Sequence, residues 1–138
     1  MSTSLEASKA LVRRFFNAIE TGNLDAFDEI VGEHYDDHLP GQSPGREALK
    51  RYFAGLRAAF PDLKLPIEQI IAEGDRVAVL NSVQGTQQGA FLEMPPSGRP
   101  IDVMAFQLYR VEAGQLAEHW EVADFASLIR QLSPPPNS

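Results

Sequence analysis

Apolar residues near the start of the chain recur at helical spacing. Leu11, Phe15, Ala18 and Ile19 fall on one face, which Val12 and Phe16 widen, so the pattern predicts an amphipathic helix over about 5–20. Thr3 followed three residues later by Glu6 has the form of a capping box, in which each side chain satisfies an orphan backbone N–H. Gly22 and Asn23 stop this helix, and Asn23 can cap a second, short one whose buried stripe is Leu24, Phe27 and Val31. Positions 32–45 show no sustained period and are rich in His, Asp, Gly and Pro; they read as an ordered loop with at most a short extended piece. A third helix follows, with Ser43 as N-cap, Pro44 as its first residue and Leu49, Tyr52, Phe53, Leu56 and Phe60 as its apolar stripe, ending at Pro61-Asp62.

Beyond Pro61 the spacing changes to alternation. Leu63, Leu65 and Ile67 alternate with Lys64, Pro66 and Glu68, and Pro66, which has no N–H to donate, marks an edge strand. Glu73-Gly74-Asp75 is a turn between two apolar runs and predicts a β-hairpin. A long connection, 85–98, leads to a second hairpin formed by 101–111 and 115–123 around Glu112-Ala113-Gly114. Residues 127–132 can form a last helical turn, and 134–138 read as a flexible tail after a single domain spanning 1–133. Helices first and strands afterwards predict an α+β fold, in which a twisted antiparallel sheet packs against the N-terminal helices and encloses a cone-shaped interior. Such interiors commonly hold small molecules.

Composition narrows the partners. The chain has 138 residues, enough for one core, a net charge of −7, and no run of basic residues longer than a pair. Nucleic acid is therefore not an expected partner. Neither a membrane-spanning apolar stretch nor an apolar signal-peptide core is apparent, which predicts a cytoplasmic protein with no membrane partner. The absence of cysteine excludes a disulfide framework, a thiol nucleophile and a thiolate-bound metal.

Strand parity narrows the candidate chemistry. In 115–123, His119 and Glu121 share one face with Ala117 and Ala123, while Leu116, Glu118, Trp120 and Val122 share the other. Alternation alone leaves open which set faces inward. In the preceding strand Gln107 and Tyr109 share a parity opposite to Asp102, Phe106, Leu108 and Arg110. His38 lies in the loop expected to roof the pocket, where Asp36 or Asp37 can orient its imidazole. Asp124 is either the fallback carboxylate of the site or a plain N-cap for the last helical turn, and it stands with Phe16, Tyr52 and Tyr109 among the candidate substrate-binding side chains.

Four short runs, in order, carry a family resemblance: Ala59-Phe60-Pro61-Asp62-Leu63, Glu73-Gly74-Asp75-Arg76-Val77, Pro95-Pro96-Ser97-Gly98-Arg99, and Tyr109-Arg110 through Gly114 to Glu118-His119-Trp120. Together they resemble the SnoaL-like polyketide cyclases, or predicted ester cyclases, of the NTF2-like superfamily. The resemblance implies a cone-shaped half-barrel, a homodimer formed through the outer sheet face, and no cofactor or metal. It also implies acid/base catalysis of an aldol-type ring closure on a small apolar or polyketide-like carbonyl compound, a reaction of the intramolecular lyase or isomerase kind. In the family the acid/base is an Asp on the last strand, which falls on Glu121, and the pocket His of the preceding strand falls on Gln107. Glu keeps the carboxylate but shifts it, and Gln keeps a hydrogen-bond donor but removes a titratable group. His119, His38 and Gln107 are the expected partners of Glu121. Two alternatives stand beside this reading: an epoxide hydrolase of the limonene-epoxide-hydrolase type, which needs an Asp-Arg-Asp set, and a non-catalytic small-ligand binding protein.

Overall fold

The computed structural model describes residues 4–134. In chain order it contains helix α1 (Leu5–Thr21), a 3-10 turn (Leu24–Ala26), α2 (Phe27–Ile30), strand β1 (Val31–Asp37), α3 (Arg46–Ala59), β2 (Ile67–Glu73), β3 (Arg76–Thr86), β4 (Pro100–Glu112), β5 (Gln115–Ala123) and α4 (Phe125–Leu132). Thr3 and the tail beyond Pro134 lie outside the described residues. The hydroxyl of Ser4 caps α1 by accepting the Ala7 N–H at 3.1 Å. At the other end Gly22 adopts the left-handed conformation that terminates the helix, with φ 76°. Arg57 of α3 donates to the last carbonyls of α1, Ile19 O at 3.0 Å and Glu20 O at 2.8 Å, and so ties the two helices together.

The strands form one curved sheet in the order β1-β5-β4-β3-β2. The four longer strands pair antiparallel, as expected, and β2 is the edge strand that Pro66 announces. The fifth strand is a difference from the sequence reading: Val31 does not belong to the stripe of the short helix, which ends at Ile30, and 32–37 are not loop, because 31–37 pair in parallel with β5. Val31 and Asp36 are five positions apart, while their partners Leu116 and Glu118 are only two apart. That slip explains the missing signal, because the buried residues Val31 and Tyr35 are four apart instead of two. The third helix also begins later than Ser43 and Pro44 suggest. Gly45, at φ 100°, sends its N–H to Tyr35 O at 2.7 Å and turns the chain off β1 before α3 starts at Arg46.

One face of the sheet packs on the helices. Phe15 lies 5.0 Å from Phe27 and 5.9 Å from both Phe53 and Tyr109, ring centre to ring centre, at the meeting of α1, α2, α3 and β4. Along β4 the odd-numbered residues are buried and the even-numbered ones exposed, up to the charged end at Arg110. On β5 a bulge at Ala117 breaks strict alternation: Val111 pairs with Leu116 but Arg110 pairs with Glu118. Leu116 is consequently buried on the same side as His119, not on the side of Glu118 and Trp120 as simple parity implies. Among the described residues no helix is long and apolar enough to cross a membrane.

Candidate active site

The cone encloses a cavity of about 280 Å³. Its wall is mostly apolar, with Phe15, Phe16, Leu49, Tyr52, Phe53 and Val103 among the lining residues. The polar groups gather on the inner faces of β5, β4 and β3 and at the end of β1: Glu121, His119, Gln107, Asn81 and Asp37.

These side chains form one continuous hydrogen-bonded chain. Asp37 Oδ1 lies 3.0 Å from His119 Nδ1 and also accepts the Leu39 N–H at 2.9 Å. His119 Nε2 lies 2.6 Å from Gln107 Oε1. The Gln107 amide N–H₂ donates to Glu121 Oε2 at 2.6 Å and to Asn81 Oδ1 at 3.3 Å, while Asn81 donates to Ser82 O at 3.0 Å. The cross-strand register explains why they meet, since Gln107 stands opposite Glu121 and Tyr109 opposite His119. Among the described residues no hydrogen bond is made to Oε1 of Glu121, so one oxygen of this carboxylate is held and the other is not.

Tyrosines of the neighbouring strands flank the imidazole: Tyr109 of β4 at 4.8 Å and 22° between planes, and Tyr35 of β1 at 6.3 Å and 18°. Burial, with the negative charges of Glu121 and Asp37 adding, holds the Tyr109 hydroxyl well above its ordinary pKa. Tyr35 is raised well above as well, chiefly by burial, and Tyr52 is pushed up to about 12 for the same first reason. All three phenols are thus neutral O–H groups near neutral pH.

Of the residues expected from sequence, Glu121, His119 and Gln107 converge, and Phe16, Tyr52 and Tyr109 line the same cavity. Both ring nitrogens of His119 are engaged by Asp37 and Gln107, so in this arrangement the ring positions Gln107 and does not itself face a ligand through nitrogen. Two expected residues lie elsewhere. His38 is on the outer side of the sheet, 2.7 Å from Glu118 and stacked on Trp120 at 4.8 Å, because on β1 Asp37 points inward and its neighbour points out. Asp124 caps α4, accepting Ser127 N–H at 3.1 Å and Ser127 O–H at 2.6 Å, and does not line the cavity. Asp37, Asn81 and Tyr35 were not singled out from sequence as partners of the inner cluster. Asn81 carried a usable signal, a polar residue at the inward parity set by Val77 and Val79; nothing in the pair Asp36-Asp37 tells which carboxylate turns inward.

Among the described residues no arginine lines the site, and Arg110 lies on the outer face with Glu118 at 2.8 Å, which leaves an Asp-Arg-Asp set unassembled there. The cluster Asp36, His38 and Glu118 offers three ligand atoms within 4.8 Å of one another, but Glu118 is already shared between Arg110 and His38.

A cone-shaped α+β domain with a carboxylate-bearing apolar cavity defines a class of small-molecule proteins, and the comparisons fix which one. The family model described as SnoaL-like polyketide cyclase matches residues 10–132; the chain belongs to that family. It is 29% identical to the aklanonic acid methyl ester cyclase DnrD of Streptomyces peucetius over 142 aligned positions, covering 98% of this chain and 94% of the relative. Its fold superimposes on TsrD from Streptomyces laurentii with a TM-score of 0.90 at 26% identity, covering 96% of this chain and 98% of the other. A SnoaL-like polyketide cyclase structure from Jannaschia sp. CCS1 gives a TM-score of 0.88 at 28% identity, covering 99% and 98%.

Proposed function

We propose that this protein closes a ring in a small polyketide-like carbonyl compound by aldol-type chemistry, with Glu121 as the acid/base and no cofactor. The observation that carries this reading is a cavity-lining carboxylate with one oxygen held by Gln107 and the other unbonded, at the end of a buried polar chain in an otherwise apolar space. In the first step Glu121 takes the proton from a carbon flanked by carbonyl groups, leaving an enolate. The enolate carbon then attacks a ketone carbon of the same molecule, one carbon–carbon bond forms, and the resulting alkoxide takes the proton back from Glu121. The product is an isomer of the substrate, so no atoms enter or leave. Asp37 and His119 act through Gln107, fixing the amide that holds the base. Relatives named as aklanonic acid methyl ester cyclases support the substrate class.

The test compares wild type with Glu121→Gln on aklanonic acid methyl ester and simpler β-dicarbonyl methyl esters, following formation of a product of unchanged mass by chiral chromatography. Turnover that the substitution lowers by about a hundredfold or more, with ligand binding and folding retained, is the expected result. Binding without turnover by the wild type would overturn the reading. It would favour a binding protein, the second reading, which draws support from the full hydrogen-bonding of both His119 nitrogens.

The same proposal extends to a homodimer. Met104, Phe106, Leu108 and Val122 leave an apolar patch exposed on the outer face of β4 and β5, suited to a second copy of the chain. Sedimentation of a monomer at micromolar concentration would refute this.

A further inference from the structure

The connection between β3 and β4 is built around a buried glutamine. Gln87 is fully buried; its amide donates to Gly89 O at 3.1 Å and Met94 O at 3.2 Å, and its carbonyl oxygen accepts from Ser97 O–H at 2.6 Å. Its backbone is paired too, with Arg99 O at 2.9 Å and Gly98 N at 2.9 Å. Gly89 presses so closely on α3 that a Cβ there would stand 2.7 Å from Ala58 O, which only glycine tolerates. The lobe is therefore fixed to the helix and to its own interior, and is not a slack loop.

Its tip is a two-residue turn. Phe91 and Met94 exchange backbone hydrogen bonds, N to O at 3.0 Å and 2.8 Å, and between them Leu92 and Glu93 both adopt positive φ, 50° and 66°. Turns of this type favour Asn-Gly, because a side chain with a Cβ is strained in the left-handed region. A branched residue followed by a second non-glycine residue is a poor choice for stability. Leu92 is nonetheless 49% exposed, so burial in the core does not compensate for it. It also lines the cavity, as does Phe91, which is anchored against Phe60 at 5.3 Å. Phe125 of α4 likewise lines the cavity while half-exposed.

We infer that Leu92 is a specificity-determining residue: the rigid 87–98 lobe holds it in a strained turn at the rim so that it covers the apolar part of a bound ligand. Strain retained at a site where it gives no stability is a mark of function. The inference rests on the cavity taking an apolar ligand, as proposed above, but not on any reaction occurring there.

Two variants and a neutral fluorescent probe, N-phenyl-1-naphthylamine, test it. Leu92→Asn combined with Glu93→Gly installs the residues the turn prefers, and Tm should rise by roughly 2–6 °C. Affinity for the probe should fall about fivefold, because the apolar cover is gone. Glu93→Gly alone should also raise Tm while leaving probe affinity at the wild-type value. A double variant that is stabilised but binds the probe as tightly as wild type overturns the role of Leu92; one whose Tm falls overturns the claim of strain. A wild-type protein that does not bind the probe would overturn the apolar-ligand premise itself, a failure visible before any variant is made.

Discussion

His119 and His38 each sit beside a carboxylate and an aromatic ring, yet they occupy opposite faces of one sheet. His119 is buried, its two nitrogens taken by Asp37 and Gln107 and its ring flanked by Tyr109 and Tyr35. His38 is two-fifths exposed, bonded to Glu118 and stacked on Trp120, over which Arg76 also lies at 5.1 Å. The same residue types make a closed chain leading to a ligand cavity in one place and a solvated surface cluster in the other. Pairing alone is therefore a weak guide to function; what distinguishes the inner set is that His119, Gln107 and Asn81 are buried, so their polar groups depend on one another.

If burial separates the faces, the neighbouring aspartates should separate with them. Asp37→Ala strips the buried Asp37 side chain, 5% exposed, from His119 and Leu39 N–H, and a loss of about 3 kcal/mol in urea unfolding is expected. Asp36→Ala, next in the chain but on the outside, should cost under about 0.5 kcal/mol. Equal losses would erase the distinction.

A smaller effect should appear at high pH on the inner face. Tyr52 has its pKa raised from 10.0 to about 12 by burial first and by Glu121 and Asp37 next. Its contribution is complete below the unfolded value and is lost as pH rises through the folded one, because the unfolded chain ionises first. Tyr52→Phe should therefore remove about 1 kcal/mol of the stability lost between roughly pH 10 and 11. A variant that follows the wild-type alkaline profile would show that this phenol is not desolvated.

The smallest effect belongs to the outer face and runs the other way with pH. Glu118 is held below its ordinary 4.5, first by the Arg110 hydrogen bond and then by His38. Its contribution is present above that value and disappears as pH falls through the lowered folded value. Glu118→Gln should show a slightly shallower fall in Tm between about pH 5 and pH 3, whereas a steeper fall would mean the contacts do not favour the charged form.

The sequence made some of this contrast readable. The thirteen-residue strand β4 alternates without interruption, so Gln107 and Tyr109 could be assigned to one face and Phe106, Leu108 and Arg110 to the other from parity alone. The stripes of α1 and α3 and the two hairpin turns were equally clear, because each is set by local spacing and turn chemistry, whereas Val31, read as part of the short helix, belongs to β1. Strand β1 was not, since its slipped register against β5 spaces the buried residues like part of a helix. With β1 unseen, Asp37 had no reason to be placed beside His119, and His38 was expected over the pocket. The bulge at Ala117 had a similar effect on Leu116, and no residue at that point announces it. The SnoaL-like family resemblance was carried by short ordered runs and agrees with the family match over residues 10–132.

The most direct test of the difference between the faces is to make one substitution in both places, His119→Gln and His38→Gln, and to measure kcat/KM for the ring closure proposed above with Tm as a check on folding. The expected result is a loss of about a hundredfold for His119→Gln and less than about threefold for His38→Gln, since only the first disturbs the amide that holds Glu121. A loss at His38 equal to or greater than that at His119 would contradict the account.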